Sequence, residues 1–169
     1  MRQLARFLVA LLFLALAACS APPPDGQGGP EALARALVAL GPEVDPEEAR
    51  RAAEIAYAYP LQLKEEWQVT DPPLVHNFKV LEGIREKGLC NDWARAMLER
   101  LREEQFETLS LHWSTSPPEG FRVIHHSAVI SARGGTLYDG IVLDPWRWGG
   151  VLYWSADEDD PRYEWGPPI

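Results

Sequence analysis

The sequence predicts an α+β fold in which N-terminal helices pack on a C-terminal antiparallel β-sheet, and three observations carry that expectation. Apolar residues recur at helical spacing as far as residue 104. Beyond Gln105 the composition turns to β-branched and aromatic residues broken by Pro and Gly. The links between the candidate strands are short, which suits hairpins and an antiparallel sheet. With 169 residues the chain has the length of one domain.

The chain does not begin with fold. Arg2 and Arg6 flank an otherwise uncharged start, and residues 7–18 form an unbroken apolar run, shorter than the roughly 20 residues of a spanning helix. It reads as a signal peptide. The run closes with Leu16-Ala17-Ala18-Cys19, which resembles the lipobox of bacterial lipoproteins. That resemblance implies cleavage before Cys19 and lipidation of its sulfur, with Ser20 in the next position implying the periplasmic face of the outer membrane. Residues 1–18 are then the lipoprotein signal peptide, 19–30 a lipidated cysteine with a Pro/Gly-rich tether, and 31–169 a single domain.

Charge narrows the partners. The 16 Lys and Arg stand against 25 Asp and Glu, a net charge of −9, and cleavage before Cys19 removes two arginines and no acid. So acidic a surface repels phosphate backbones, which argues against nucleic acid, and disfavours adsorption to anionic lipid. The membrane is therefore reached through acyl chains at Cys19. Lipidation leaves Cys90 as the sole thiol, and two cysteines exclude both a disulfide scaffold and a four-thiolate zinc site.

Helical spacing over residues 31–40 stops at Gly41-Pro42. Asp45-Pro46-Glu47-Glu48 places a cap, a proline at the first helical position and acids in the first turn of a second helix. It should reach Tyr59, with Pro60 kinking or ending it and 61–67 as a continuation. A third helix is expected over 74–86, with Val75, Phe78, Leu81 and Ile84 as its apolar face and Gly88 as its stop. From Cys90, Trp93, Ala94, Met97, Leu98 and Leu101 share one face of an amphipathic helix. Strands are expected over 106–113, 121–132, 137–143 and 151–154, with turns at Gly134-Gly135 and Gly149-Gly150. Tyr163 and Trp165 hold an otherwise irregular, acidic tail, whose run Glu158-Asp159-Asp160 reads as a solvated face.

Cys90 is placed at a helix start, where unpaired N–H groups and the helix dipole favour a thiolate. The same donors can receive an oxyanion. Its base comes from His76, His112, His125 or His126. Strand parity puts Ile124, His126, Ala128 and Ile130 on the face expected to meet the helices, which selects His126 and turns His125 toward solvent or a second layer. Leu143-Asp144-Pro145 supplies an acid at a strand end that can orient the imidazole. His76 reads as a cap or surface contact and His112 as an edge-strand residue. A metal site is disfavoured because adjacent strand residues His125 and His126 face opposite ways.

Gly88-Leu89-Cys90-Asn91-Asp92-Trp93-Ala94, followed by His126-Ser127-Ala128-Val129 and Leu143-Asp144-Pro145, resembles the Cys-His-Asp order of the transglutaminase-like superfamily, which includes papain-fold cysteine peptidases. The likeness covers residues 74–154, about half the chain. It implies Cys90 as nucleophile, His126 as general base and then acid, Asp144 as orienting carboxylate, and no cofactor. Ala128 stands where the family often carries an aromatic residue, and the oxyanion partner stays open among Trp67, Asn77 and the Cys90 amide.

These readings lead to an envelope cysteine hydrolase or acyl transferase acting on an amide or ester bond of a peptide, protein or cell-wall substrate. The alternative is a catalytically silent binding or assembly lipoprotein that uses the tryptophan-rich surface as a groove. A Cys-His-His cell-wall peptide hydrolase fits less well, since no histidine follows His126.

Overall fold

The computed structural model describes residues 27–120 and 122–169. The signal peptide, Cys19 and most of the tether lie outside the described residues. Four helices precede four strands among those residues: α1 (Gly29–Val38), α2 (Pro46–Glu66), α3 (Pro73–Leu81), α4 (Cys90–Arg102), β1 (Leu109–Ser116), β2 (His125–Ala132), β3 (Ile141–Trp148) and β4 (Val151–Ala156). The strands form one antiparallel sheet in the order β1-β2-β3-β4. The expected α+β class is present. Among the described residues no helix is long and apolar enough to cross a membrane.

α2 begins where its sequence signals say it should. The Asp45 side chain accepts hydrogen bonds from the Glu47 and Glu48 amides at 2.8 and 2.9 Å, and Pro46 opens the helix. The helix continues through Pro60 to Glu66, so the proline does not end it. Buried Glu48 ties its first turn to β1, accepting from the Glu107 and Thr108 amides at 2.7 and 2.8 Å.

The main core lies between the helices and one face of the sheet. Leu33 and Leu37 of α1, the alanines of α2, and Met97, Leu98 and Leu101 of α4 meet Leu109, Ala128, Ile130, Ile141, Leu143 and Leu152. Each fully buried leucine contributes about 2 kcal/mol of transfer free energy. On the opposite face Val129 and Val142 are covered by Tyr163 and Trp165 of the C-terminal segment. That segment also pairs with β1, the Thr115 and Gly166 amides each donating to the other's carbonyl at 2.9 Å. Tyr163 and Trp165 hold the tail as expected.

Several boundaries differ. β1 spans Leu109–Ser116 rather than 106–113, and β2 starts at His125 rather than 121. β3 starts at Ile141 because Leu137–Asp139 forms a 3-10 turn, and it runs past Pro145 with a register shift between Asp144 and Trp148. A proline has no ladder donor, so the strand bulges there instead of ending. α3 stops at Leu81, one turn before its expected end. Gly83, at φ 73°, takes the left-handed position, and the Ile84 amide reaches back to the Lys79 carbonyl at 2.8 Å.

α3 is also turned around. Its inward face carries His76, fully buried, with half-buried Asn77 and Val80, while Leu74, Val75, Phe78 and Leu81 are exposed. The apolar face marked by the periodicity points to solvent.

Candidate active site

Cys90 is the first residue of α4, as expected. The turn that delivers it is held from three directions. The Asp92 carboxylate accepts from the Gly88 and Leu89 amides at 3.0 Å each. The Trp93 indole donates to the Gly88 carbonyl at 3.0 Å, and His76 Nε2 donates to the Lys87 carbonyl at 2.9 Å. His76 is thus a brace under the turn that carries Cys90 rather than a cap or surface contact. Gly88 is required there: its φ is 127°, and a Cβ would lie 2.3 Å from His76 Nε2.

The thiol is 7% exposed and packs with Leu63, Val69, Trp93 and Trp146. Its S–H donates to the Ile124 carbonyl at 3.8 Å. Ile124 immediately precedes β2, so the sulfur sits at the end of the sheet, beside the residue that opens that strand.

That residue is His125, and here the sequence reading is corrected. His125 Nε2 donates to Asp144 Oδ2 at 2.8 Å, with both side chains 1% exposed. The Cys90 sulfur lies beside this residue: it meets the carbonyl of the preceding Ile124, and Trp146 packs against both the thiol and the His125 ring, while no hydrogen bond joins the sulfur to Nδ1. His126 is not in this group. Its Nδ1 meets the Thr115 hydroxyl at 3.0 Å and its ring lies 5.3 Å from that of Trp113.

Strand parity holds, with Ala128 and Ile130 packed against the helices and His125 on the other face beside Tyr163 and Trp165. What parity does not give is the position of Cys90. α4 lays its later turns under the sheet, while its first residue reaches the sheet's end, where His125 and Asp144 project on the face that carries Val129 and Val142.

Burial alone would lower the pKa of His125, but the charge and hydrogen bond of Asp144, together with Cys90, push it up to about 9. Burial likewise works against the Asp144 carboxylate. His125 and the Arg147 guanidinium outweigh that and hold its pKa below the usual carboxylate value. His126, with burial and the neighbouring His125 both against its charged form, is shifted downward.

Behind Asp144 stand groups that the sequence reading missed. Arg147 donates from Nε to Asp144 Oδ2 at 2.9 Å and from its amide to Oδ1 at 3.1 Å. Its two terminal nitrogens grip Asp160 at 3.1 and 2.6 Å, and Asp160 accepts from the Trp165 indole at 2.9 Å. Asp160 is therefore buried, in contrast to the exposed Glu158 and Asp159 before it, so the solvated face covers only part of the acidic run. Tyr163, Trp146 and Trp165 surround the His125 ring at centroid distances of 4.4, 4.7 and 5.2 Å. The signal that could have found Arg147 is a lone base three residues after an acid within an apolar strand, a pattern that demands a buried pair.

Of the oxyanion partners left open, Asn77 Oδ1 is occupied by the Trp146 indole at 3.0 Å. Trp67 packs edge-on against Trp93 at 4.8 Å and lines a cavity of about 470 Å³ with Glu66, Gln68, Ile84, Arg85, Glu86 and Lys87. The Cys90 amide is at the first helical position, where an N–H has no partner within its own helix. Among the described residues no group of three or more His, Cys, Asp or Glu side chains is placed to hold a metal ion.

The arrangement can hold an imidazolium beside a sulfur and can deliver its Nδ1 proton to a group bound there. No family model matches the chain, and no curated protein or solved structure matches it at significance.

Proposed function

We propose that the chain is an envelope cysteine hydrolase or acyl transferase of transglutaminase-like architecture, anchored by lipid at Cys19. It acts on an amide or ester bond of peptide type through Cys90, His125 and Asp144. The observation that carries this reading is His125, fixed by Asp144 on one side and adjoining the Cys90 sulfur on the other.

In the reaction the Cys90 sulfur, as thiolate, adds to the substrate carbonyl, and the oxyanion meets the Cys90 amide at the positive end of α4. Imidazolium His125 gives its proton to the departing amine or alcohol, leaving a thioester on Cys90. Water or an acceptor amine then attacks the thioester. His125 takes the attacking group's proton, the carbonyl product leaves, and the thiolate is restored. Asp144 keeps the Nε2 proton in place throughout, so that Nδ1 does the exchanging.

A second reading, a silent binding lipoprotein of the same architecture, is favoured by one feature: the thiol lies beneath the Ile124 carbonyl and is nearly covered. Native-state alkylation separates the two. Iodoacetamide followed by mass analysis should label Cys90 in the folded protein, with His125→Ala slowing the reaction at least about tenfold and His126→Ala changing it less than about twofold. An activated acyl ester should leave an acyl group on Cys90. Labelling only after denaturation would favour the binding reading. Cys19→Ser should move the protein out of the membrane fraction, and retention without acyl chains would refute the anchor.

A further inference from the structure

α3 presents to solvent the side chains that a helix ordinarily buries. Leu74, Val75, Phe78 and Leu81, with Ile84 just beyond the helix, are between 47% and 75% exposed. They are half of the ten exposed large hydrophobic residues in the described chain, gathered within eleven positions. A ridge of this kind on a soluble surface marks a place of contact. The inward side explains why the helix does not roll over: His76 braces the Lys87 carbonyl and Asn77 accepts from Trp146, so rotation would dismantle the turn that carries Cys90.

The tether says what can cover the ridge. Eight residue steps separate Cys19 from Gln27, a span of at most about 28 Å when fully extended. A domain of this size is roughly 37 Å across. Anchored at Cys19, the domain is held with its exit point within about 28 Å of the bilayer, less than its own width, so the side from which the chain leaves stays beside the membrane.

The chain leaves the fold at Gln27, which accepts from the Trp154 amide of β4 at 2.8 Å. Four strand residues, about 14 Å, lead from Trp154 to the turn at Gly150. The adjoining Gly149 would place a Cβ 3.7 Å from the carbonyl oxygen of Asp71, two residues before α3 begins. One strand and one close contact thus join the exit point to the start of α3. Its flanking charges balance, Lys79, which pairs with Asp71 at 2.6 Å, Arg85 and Lys87 against Asp71, Glu82 and Glu86, so this stretch escapes the strong negative charge of the whole chain.

We infer that the ridge formed by Leu74, Val75, Phe78, Leu81 and Ile84 docks on the lipid surface, seating in the headgroup region as interfacial helices do. Ile84 also lines the cavity beside Trp67, so docking brings that cavity to the membrane face. The inference rests on the lipid-anchor reading above and not on catalysis.

The test uses the full mature protein carrying Cys90→Ser and Phe78→Cys, labelled at residue 78 with an environment-sensitive fluorophore and reconstituted into phosphatidylcholine vesicles. A matched protein carries the label through Tyr138→Cys, on an exposed 3-10 turn. Mass analysis first reports acylation of Cys19. In acylated protein the label at 78 should be shifted to the blue, quenched by spin-labelled acyl chains, and shielded from iodide at least about fivefold relative to the label at 138. Equal iodide quenching at the two positions in acylated protein overturns the docking alone. Shielding in native membranes but not in lipid vesicles also overturns it and assigns the ridge to a protein. Absence of acyl chains removes the anchor and the inference together.

Discussion

The pairing of His125 with Asp144 can be tested through proton linkage. An ordinary histidine titrates near 6.5, whereas His125 in the fold is pushed up to about 9. At about 1.36 kcal/mol for each pKa unit, the fold favours the imidazolium by about 3 kcal/mol. The shift is upward, so this stability is present in full below pH 6.5 and is lost as the pH rises through about 9. His125→Gln keeps a side-chain donor but cannot titrate. Urea unfolding of both proteins at a series of pH values therefore isolates the effect from lysine and tyrosine titrations. The stability difference between wild type and variant should shrink by about 3 kcal/mol from about pH 6 to about pH 10. In Asp144→Asn the larger part of the upward push is removed while burial remains, so the imidazole resonance of His125 should titrate well below about 9. A difference that does not change with pH, or a wild-type midpoint at or below 6.5, would refute the argument.

Three further outcomes follow from the same geometry. Arg147→Met removes the buried guanidinium shared by Asp144 and Asp160, and the urea midpoint should report a loss of about 3–5 kcal/mol. Gly88→Ala forces a methyl group onto His76 at a positive φ; it should cost more than about 1 kcal/mol and slow Cys90 alkylation, and adding His76→Ala should restore part of both losses. Because Asp144 and Asp160 are both held below the usual carboxylate range, their pairing contributes stability above about pH 4 that is lost as the pH falls through their lowered values. The acid limb of unfolding should therefore move to higher pH in Arg147→Met.

Local chemistry was the most legible part of the sequence. The Asp45-Pro46 start of α2, Cys90 as the first residue of α4, and the four-strand order are set by caps, periodicity and turn residues that act within a few positions. Pro60 left two outcomes open, since a missing donor weakens a helix without always ending it. What could not be read depends on where elements end relative to one another. Parity assigns His125 and His126 to opposite faces but does not say that Cys90 lies off the end of the sheet, and that offset decides which ring it meets. Asp160 looked like its neighbours because a charge run carries no mark of which member will find Arg147. The apolar spacing of α3 marks a helix, but period alone does not tell whether a protein covers its own stripe.

The orientation of α3 and the geometry at Cys90 have one cause. A helix that buries its apolar side would gain transfer free energy from Leu74, Phe78 and Leu81, and the fold forgoes that gain. In return His76 and Asn77 face inward, where one holds the Lys87 carbonyl and the other the Trp146 indole. Trp146 lies against both Cys90 and His125, so these two polar contacts fix the cysteine's turn and one wall of the imidazole pocket together. Exposed hydrophobic surface is therefore coupled to a rigid sulfur and ring. Whatever covers the ridge bears on the same helix that braces the turn of Cys90.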